Sequence, residues 1–378
     1  MDGQTGPEYD AVGALVLSAD GRHFAYLAKQ GERQLAVINC QAGPAYSGVG
    51  PLVLSHDGLH AAYVAWQSEK YFVVADGRAG PPFNFISALG LSFSADGVHL
   101  VYPAWGDRKE GGNYDRKRWV VDGRALPQGG QTPVFSADGQ HMVYVAEGAS
   151  NATMQMVFDG QPGPEYPAVS NAQLSPDGRH VVFLVRDRGN YFEVLDGRPG
   201  PKYDLITGQI LSPDGRRLAY EARTGAPRFE EHGIYVTNDT EFAQTFIVVD
   251  GTPGPKYDGV YQLIISADSR HVAYEAAKGG HWLAVLDGRE GAKYLHIWGL
   301  KFSVDGQHLA YVAAKENGKP VSDRMVVVVD GHESREFEMV LEDNSAAGTA
   351  PIFTGGGTLA YFGVRGGVLY RVTQPLAK

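Results

Sequence analysis

The chain of 378 residues has a single cysteine, Cys40, so it can form no internal disulfide and no cysteine-based zinc site. It has no run of the roughly 18 to 20 apolar residues that a membrane-spanning helix needs, and its start, MDGQTGPEYD, lacks the basic and apolar regions of a signal peptide. A soluble protein without a membrane span is expected. Basic residues are few: 33 Lys and Arg stand against 43 Asp and Glu, a net charge of −10 that repels nucleic acid. The densest basic cluster, Arg108, Lys109, Arg116, Lys117 and Arg118, is interleaved with Asp107, Glu110 and Asp115 and reads as a solvated loop. Missing too are a G-x-S-x-G elbow, a phosphate-binding loop, a dinucleotide fingerprint and a calcium-binding loop. Those absences leave no recognised catalytic motif and no cofactor to expect.

What is abundant is turn and aromatic material, with 49 Gly, 21 Pro, 20 Tyr and 16 Phe, a balance that favours many short strands. The sequence is also periodic. A tetrapeptide S-x-D-G begins at Ser18, Ser55, Ser94, Ser136, Ser175, Ser212, Ser266 (with Ser269 in place of Gly) and Ser303, and a degenerate copy begins at Thr354. Eight residues after each of the first eight stands an aromatic: Tyr26, Tyr63, Tyr102, Tyr144, Phe183, Tyr220, Tyr274 and Tyr311. A second motif, D-G-x-x-G-P-x-aromatic, is clearest from Asp2, Asp159, Asp196 and Asp250. Its first residue lies 16 before the next repeat serine in six of nine cases, so both motifs belong to one unit.

Each unit alternates short apolar runs with turn residues, which predicts four antiparallel strands, A to D, joined by hairpins. Such a sheet is apolar on both faces and is satisfied by radial stacking. The expected fold is therefore an all-β, closed β-propeller in one domain, 1–378, with nine blades, or eight if one unit is a cap. The last unit has strands A to C only, and residues 2–10 form an orphan D strand. Pairing the two would close the ring and remove open edges.

The run S-P-D-G-R-x-L-A-Y at Ser212–Tyr220 resembles the WD40-like (PD40) repeat of TolB-type propellers, and the resemblance spans essentially the whole chain. It implies a propeller and, since such relatives are mostly exported, a periplasmic or extracellular location. It leaves function open, because the family includes protein-binding domains, propeller domains of peptidases and some lyases.

Seven of the twelve histidines, His23, His60, His99, His141, His180, His271 and His308, fall five residues after a repeat serine. Copies one blade apart cannot share a metal ion, so hydrogen bonds to the neighbouring turn Ser or Asp are expected of them. The recurring aromatics are expected to fill the space between blades. Function is expected where the repeat is broken. The B–C connections at 104–118, 222–245 and 313–324 and the link 331–349 between the last two units are enlarged, and all should emerge at one end of the sheets. That end would carry Trp66, Trp105, Tyr114, Arg186, Arg188, Arg228, Tyr235, Tyr261, His296 and Trp298, a set suited to a protein, peptide or carbohydrate partner. Glu231 and His232 could form an acid/base pair there, the basis of an alternative hydrolase or lyase. A purely structural module is a third reading. Two positions before the repeat residue, Gln173 and Lys301 are polar where other units have mostly Val or Ile, and are expected to face the channel. A monomer is expected.

Overall fold

The computed structural model describes residues 6–106, 117–127, 130–150, 152–225, 244–315, 324–341, 351–354 and 357–376. Among them there is no helix, and the strands form nine antiparallel sheets taken in chain order. The chain divides into two compact units, 1–185 and 186–378, with the division inside strand B of the fifth sheet (Val181–Asp187).

In the first unit the second sheet shows the common plan, with strands A (Gly48–Leu54), B (Ala61–Gln67), C (Lys70–Ala75) and D (Arg78–Ala79). Tyr63 is paired with Val74 and Val64 with Val73, so alternate residues leave opposite faces of the sheet. Tyr63 and Val74 pack with Ala25 and Ala36 of the first sheet, while Val64 and Val73 pack with Tyr102 and Val120 of the third. Both faces are thus covered, which is why strand B is apolar almost without alternation. The second unit repeats the arrangement: Ala273 and Ala284 of the seventh sheet meet Tyr311 and Val328 of the eighth, whose Val312 and Val327 meet Leu359 and Tyr361 of the ninth. Four-stranded meanders stacked face to face in chain order are propeller blades, and the fold is a β-propeller. The recurring aromatics do fill the gaps. Edge-to-face pairs join a strand D ring to the strand B ring of the next sheet, at 6.3 Å for Phe83 and Tyr102 and 6.2 Å for Tyr294 and Tyr311.

The S-x-D-G turn is a small hydrogen-bonded device. The Ser55 hydroxyl donates to Asp57 Oδ1 at 2.5 Å, and the same oxygen accepts from the Leu59 amide at 3.0 Å. The His60 amide closes the loop on Ser55 Oγ at 3.0 Å. The His60 ring goes elsewhere than the sequence suggests: Nδ1 donates to Asp76 Oδ2, in the C–D turn, at 2.7 Å. Asp76 has φ of 47° and also accepts from the Ala61 amide at 2.9 Å. Strand B starts beside the end of strand C, so the aspartate of the second motif lies within reach of the histidine of the first. The pair recurs as His99–Asp122, His141–Asp159, His271–Asp287 and His308–Asp330.

Removing such a bridge has a defined cost. Asp122→Ala would strand both the His99 ring and the Leu100 amide, which Asp122 holds at 2.7 and 2.9 Å, and should cost about 2 kcal/mol in urea denaturation. Asp122→Asn should recover much of this, because Asn39 fills the same role for the Phe24 amide and His23 in the first sheet. Equal losses for Ala and Asn would refute the bridging role.

Three expectations are corrected. Strand A of the ninth sheet begins at Met339, so the extra residues 342–350 fall between two halves of that strand, Met339–Leu341 and Ile352–Thr354, and not in the link before it. The strand expected over 2–10 does not appear among the described strands. Residues 6–10 are irregular, Tyr9 packs edge-on to Tyr26 at 6.3 Å and Asp10 accepts from the Gly31 amide. Among the described residues, strand C of the ninth sheet (Val368–Pro375) pairs with strand B alone. Finally, Val16, Val53 and Ile264 lean on the core shared with the following sheet, because a blade presents its side chains to its neighbours. Gln173 and Lys301 stand at that same register, both half-buried.

Candidate functional site

The end of the sheets where the B–C hairpins turn is built by a recurrent cap. An acidic residue following the strand D aromatic accepts from a backbone amide of the next hairpin: Asp204 from Gly225 at 2.8 Å, Asp258 from Gly279 at 2.6 Å and Glu338 from Gly366 at 2.9 Å. Each cap fixes the hairpin beside the start of strand A, which brings three strands' side chains to one place.

In the first unit four rings meet across the second and third sheets. Trp66 lies 6.0 Å from Tyr71, Tyr71 lies 5.5 Å from Phe85, and Phe85 lies 5.3 Å from Trp105. The second unit builds a counterpart across the seventh and eighth sheets, with Tyr261 4.9 Å from Trp282, Trp282 4.4 Å from His296, and His296 5.7 Å from Trp298. Tyr71 and Trp282 are both the second residue of strand C, and Phe85 and His296 both begin strand A of the following sheet. The repeat therefore sets the two inner positions, while the outer rings are on strand B in the first run and on strand A in the second.

The rings are not equally available. Trp66 lies flat on Gly48, where a Cβ would come within 2.0 Å of the indole, so much of this side chain is committed to packing. Trp298 leans on the core between the eighth and ninth sheets, with its buried indole N–H unpartnered. Tyr261 is open, 52% exposed, and His296 is exposed as well. Charges nearby are mostly paired: Lys278 with Glu290 and Lys315 with Glu333, each at 2.7 Å, and Lys202 with Asp187 at 3.8 Å. Arg186 sits over the Tyr191 ring at 5.9 Å, and Arg188, with φ of 48°, caps its hairpin almost fully exposed. Tyr114, Arg228, Glu231, His232 and Tyr235 lie outside the described residues, as does the acid/base pair.

Sequence reasoning named the outer rings of both runs and His296, and did not single out Tyr71, Phe85 or Trp282. Their signal was register: aromatics at equivalent places beside Trp66 and Tyr261. It also missed two buried acids. Glu193 is 2% exposed with neither carboxylate oxygen hydrogen-bonded, and burial pushes its pKa up to about 8. Glu275, 6% exposed, is pushed up to about 7 for the same reason. Glu275 stands directly across from Tyr261 in the paired strands. The turn aspartates shift the other way, Asp57 and Asp138 among them, because the repeat serine donates to the carboxylate.

The His–Asp pairs have the spacing of a catalytic dyad, but their rings are packed against neighbouring aromatics: His99 stacks on Phe135 at 4.9 Å and His141 on Phe158 at 5.7 Å. They serve the turns. No group of three or more His, Cys, Asp or Glu suited to a metal ion occurs among the described residues.

No protein-family model matches the chain, and no curated protein matches it. Among solved structures it is similar to the Dos1 propeller (11% identity, TM-score 0.35, covering 80% of this chain and 90% of that one). It is similar also to TolB from Acinetobacter baumannii (15%, TM-score 0.24, 50% and 53%) and to the β-propeller domain of Cps50 (Swd1) from Myceliophteria thermophila (13%, TM-score 0.29, 76% and 98%). None of these carries its function over to the present chain.

Proposed function

We propose that this chain is a non-catalytic propeller scaffold of the TolB-type, WD40-like repeat kind, working as one domain and as a monomer, which captures a partner through the end of its sheets where the B–C connections emerge. The partner is a protein segment, a peptide or a glycan, ligands whose flat or apolar groups stack on aromatic rings. The observation that supports this reading is the pair of four-ring runs, Trp66 to Trp105 and Tyr261 to Trp298, whose inner rings stand at the same places in the repeat. Three enlarged B–C connections emerge at this end. Export from the cytoplasm belongs to the same reading.

The test is capture of labelled protein on peptide and glycan arrays. Wild type should bind a defined subset of spots, and Trp105→Ala and Tyr261→Ala should each reduce that capture at least tenfold with an unchanged circular dichroism spectrum. Equal capture by wild type and both variants, or no capture at all, would overturn the proposal.

A further inference from the structure

At one interface the turn repeat is broken from both sides. Arg217 occupies the place five residues after the repeat serine where seven other units have histidine, and the next unit replaces the repeat glycine by Ser269. At two other joints that glycine sits tightly on the preceding histidine: a Cβ on Gly58 would lie 2.8 Å from the His23 ring, and one on Gly178 would lie 2.2 Å from His141. Between the sixth and seventh sheets the contact is remade. Ser269 holds φ of 62° and its hydroxyl oxygen accepts from the Asp214 amide at 3.1 Å. Arg217 reaches past the place of a ring, donating from Nε to Asp250 at 3.0 Å and from Nη1 to the Arg270 carbonyl at 2.6 Å.

The altered contact borders a cavity of about 310 Å³ between these two sheets, at the lower end of the range for small-molecule sites. Val249, Pro253, Val272 and Tyr274 give it apolar walls, and the guanidinium-bearing residues Arg217 and Arg270 line it as well. The two bonds above use two of the five N–H groups of Arg217, and Arg270 has only a 3.9 Å approach to Asp268, with its side chain 75% exposed. Donors are therefore left to bind an anion. Acids are close too: Asp287 lines the cavity, tied to His271, and Asp250 holds Arg217. Two cations among these acids suit a single negative charge and disfavour a dianion such as a phosphate monoester.

We propose that this cavity binds a small amphipathic monocarboxylate, its carboxylate held by Arg217 and Arg270 and its apolar body against Val249, Pro253 and Val272. The site stands at the A–B and C–D turn end of the sheets, so it is separate from the ring runs and does not depend on them.

Titration calorimetry with hexanoate and 3-phenylpropionate tests it. At least one acid should saturate the protein with a Kd near 1 mM or below, and hexanamide should not bind. Arg217→Gln keeps a side-chain N–H for Asp250 and places no ring against Ser269, and should fold normally while weakening the acid at least tenfold. Arg270→Gln, at an exposed position, should weaken it likewise. No saturation by either acid up to about 10 mM would overturn the proposal. So would undiminished binding in both variants, or equal binding of acid and amide.

Discussion

At pH 9, Glu193→Gln is expected to raise the stability of the sheets around it by about 4 kcal/mol, and at pH 5 to change it little. The Glu193 carboxyl is 2% exposed, unpartnered, and raised to about 8 by burial. Between the ordinary glutamate value and pH 8 the folded state therefore holds a proton that the unfolded state has released, so stability falls as pH rises through this window. The amide is neutral throughout and escapes the loss. Burial raises the phenol of Tyr220, with Tyr203 and then Glu193 adding to it, and that phenol has no hydrogen-bond partner among the described residues. The turn aspartates act in the opposite sense. Their depressed values mean that their contribution is complete above the ordinary aspartate range and is lost as pH falls through the folded value. A plot of melting temperature against pH should thus fall at both ends for wild type, and lose most of its alkaline fall in Glu193→Gln. Parallel alkaline limbs would show that Glu193 is already paired or hydrated.

Gly178→Ala is expected to cost about 4 kcal/mol, against about 1 to 2 for Gly160→Ala. Both glycines have positive φ, 70° and 76°. Gly160, in a C–D turn, has nothing within 4 Å of where a Cβ would stand, so its substitution carries backbone strain alone. Gly178 would place a methyl group 2.2 Å from the His141 ring, which is held by Asp159 at 2.7 Å and stacked on Phe158. The ring cannot turn aside without losing both. In a His141→Ala background much of the excess should vanish, a coupling of about 2 kcal/mol in a double-mutant cycle. Additive losses would mean that the turn glycine is selected for φ alone.

The sheets were legible because one device is written eight times. Serine, aspartate and glycine at fixed spacing name a turn, and an aromatic eight residues on names the buried register of strand B. The bridge between the two motifs was less legible, since the histidine's partner lies 16 to 23 residues away across a hairpin and either turn offered an acceptor. The break inside strand A of the ninth sheet misled the placement of residues 342–350 because pairing to Val364 and Gly363 decides where the strand starts, and no local pattern shows it. The ring runs were half visible. Trp66, Trp105 and Trp298 stand out as rare residues, whereas Tyr71 and Phe85 become part of the surface only when two sheets are brought together. Glu193 was readable in hindsight of register alone: the other units carry Ala36, Val73, Ile247 and Ala284 at its place in strand C. Arg217 was equally open to view as the missing histidine.

The turn glycines Gly58, Gly97, Gly139, Gly178 and Gly306 each rest on a residue of the preceding unit's turn, so the two halves of such a joint are written in different copies of the same text. A duplication or deletion that begins and ends at the same phase of the repeat regenerates both halves at the new seam, wherever the cut falls. Gene copying can therefore lengthen or shorten such a chain by whole sheets without inventing a contact. The seam it would not regenerate freely is the one between the sixth and seventh sheets, where Arg217 and Ser269 fit each other and no other neighbour: a copy of either sheet alone would join serine to a histidine ring, or glycine to an arginine.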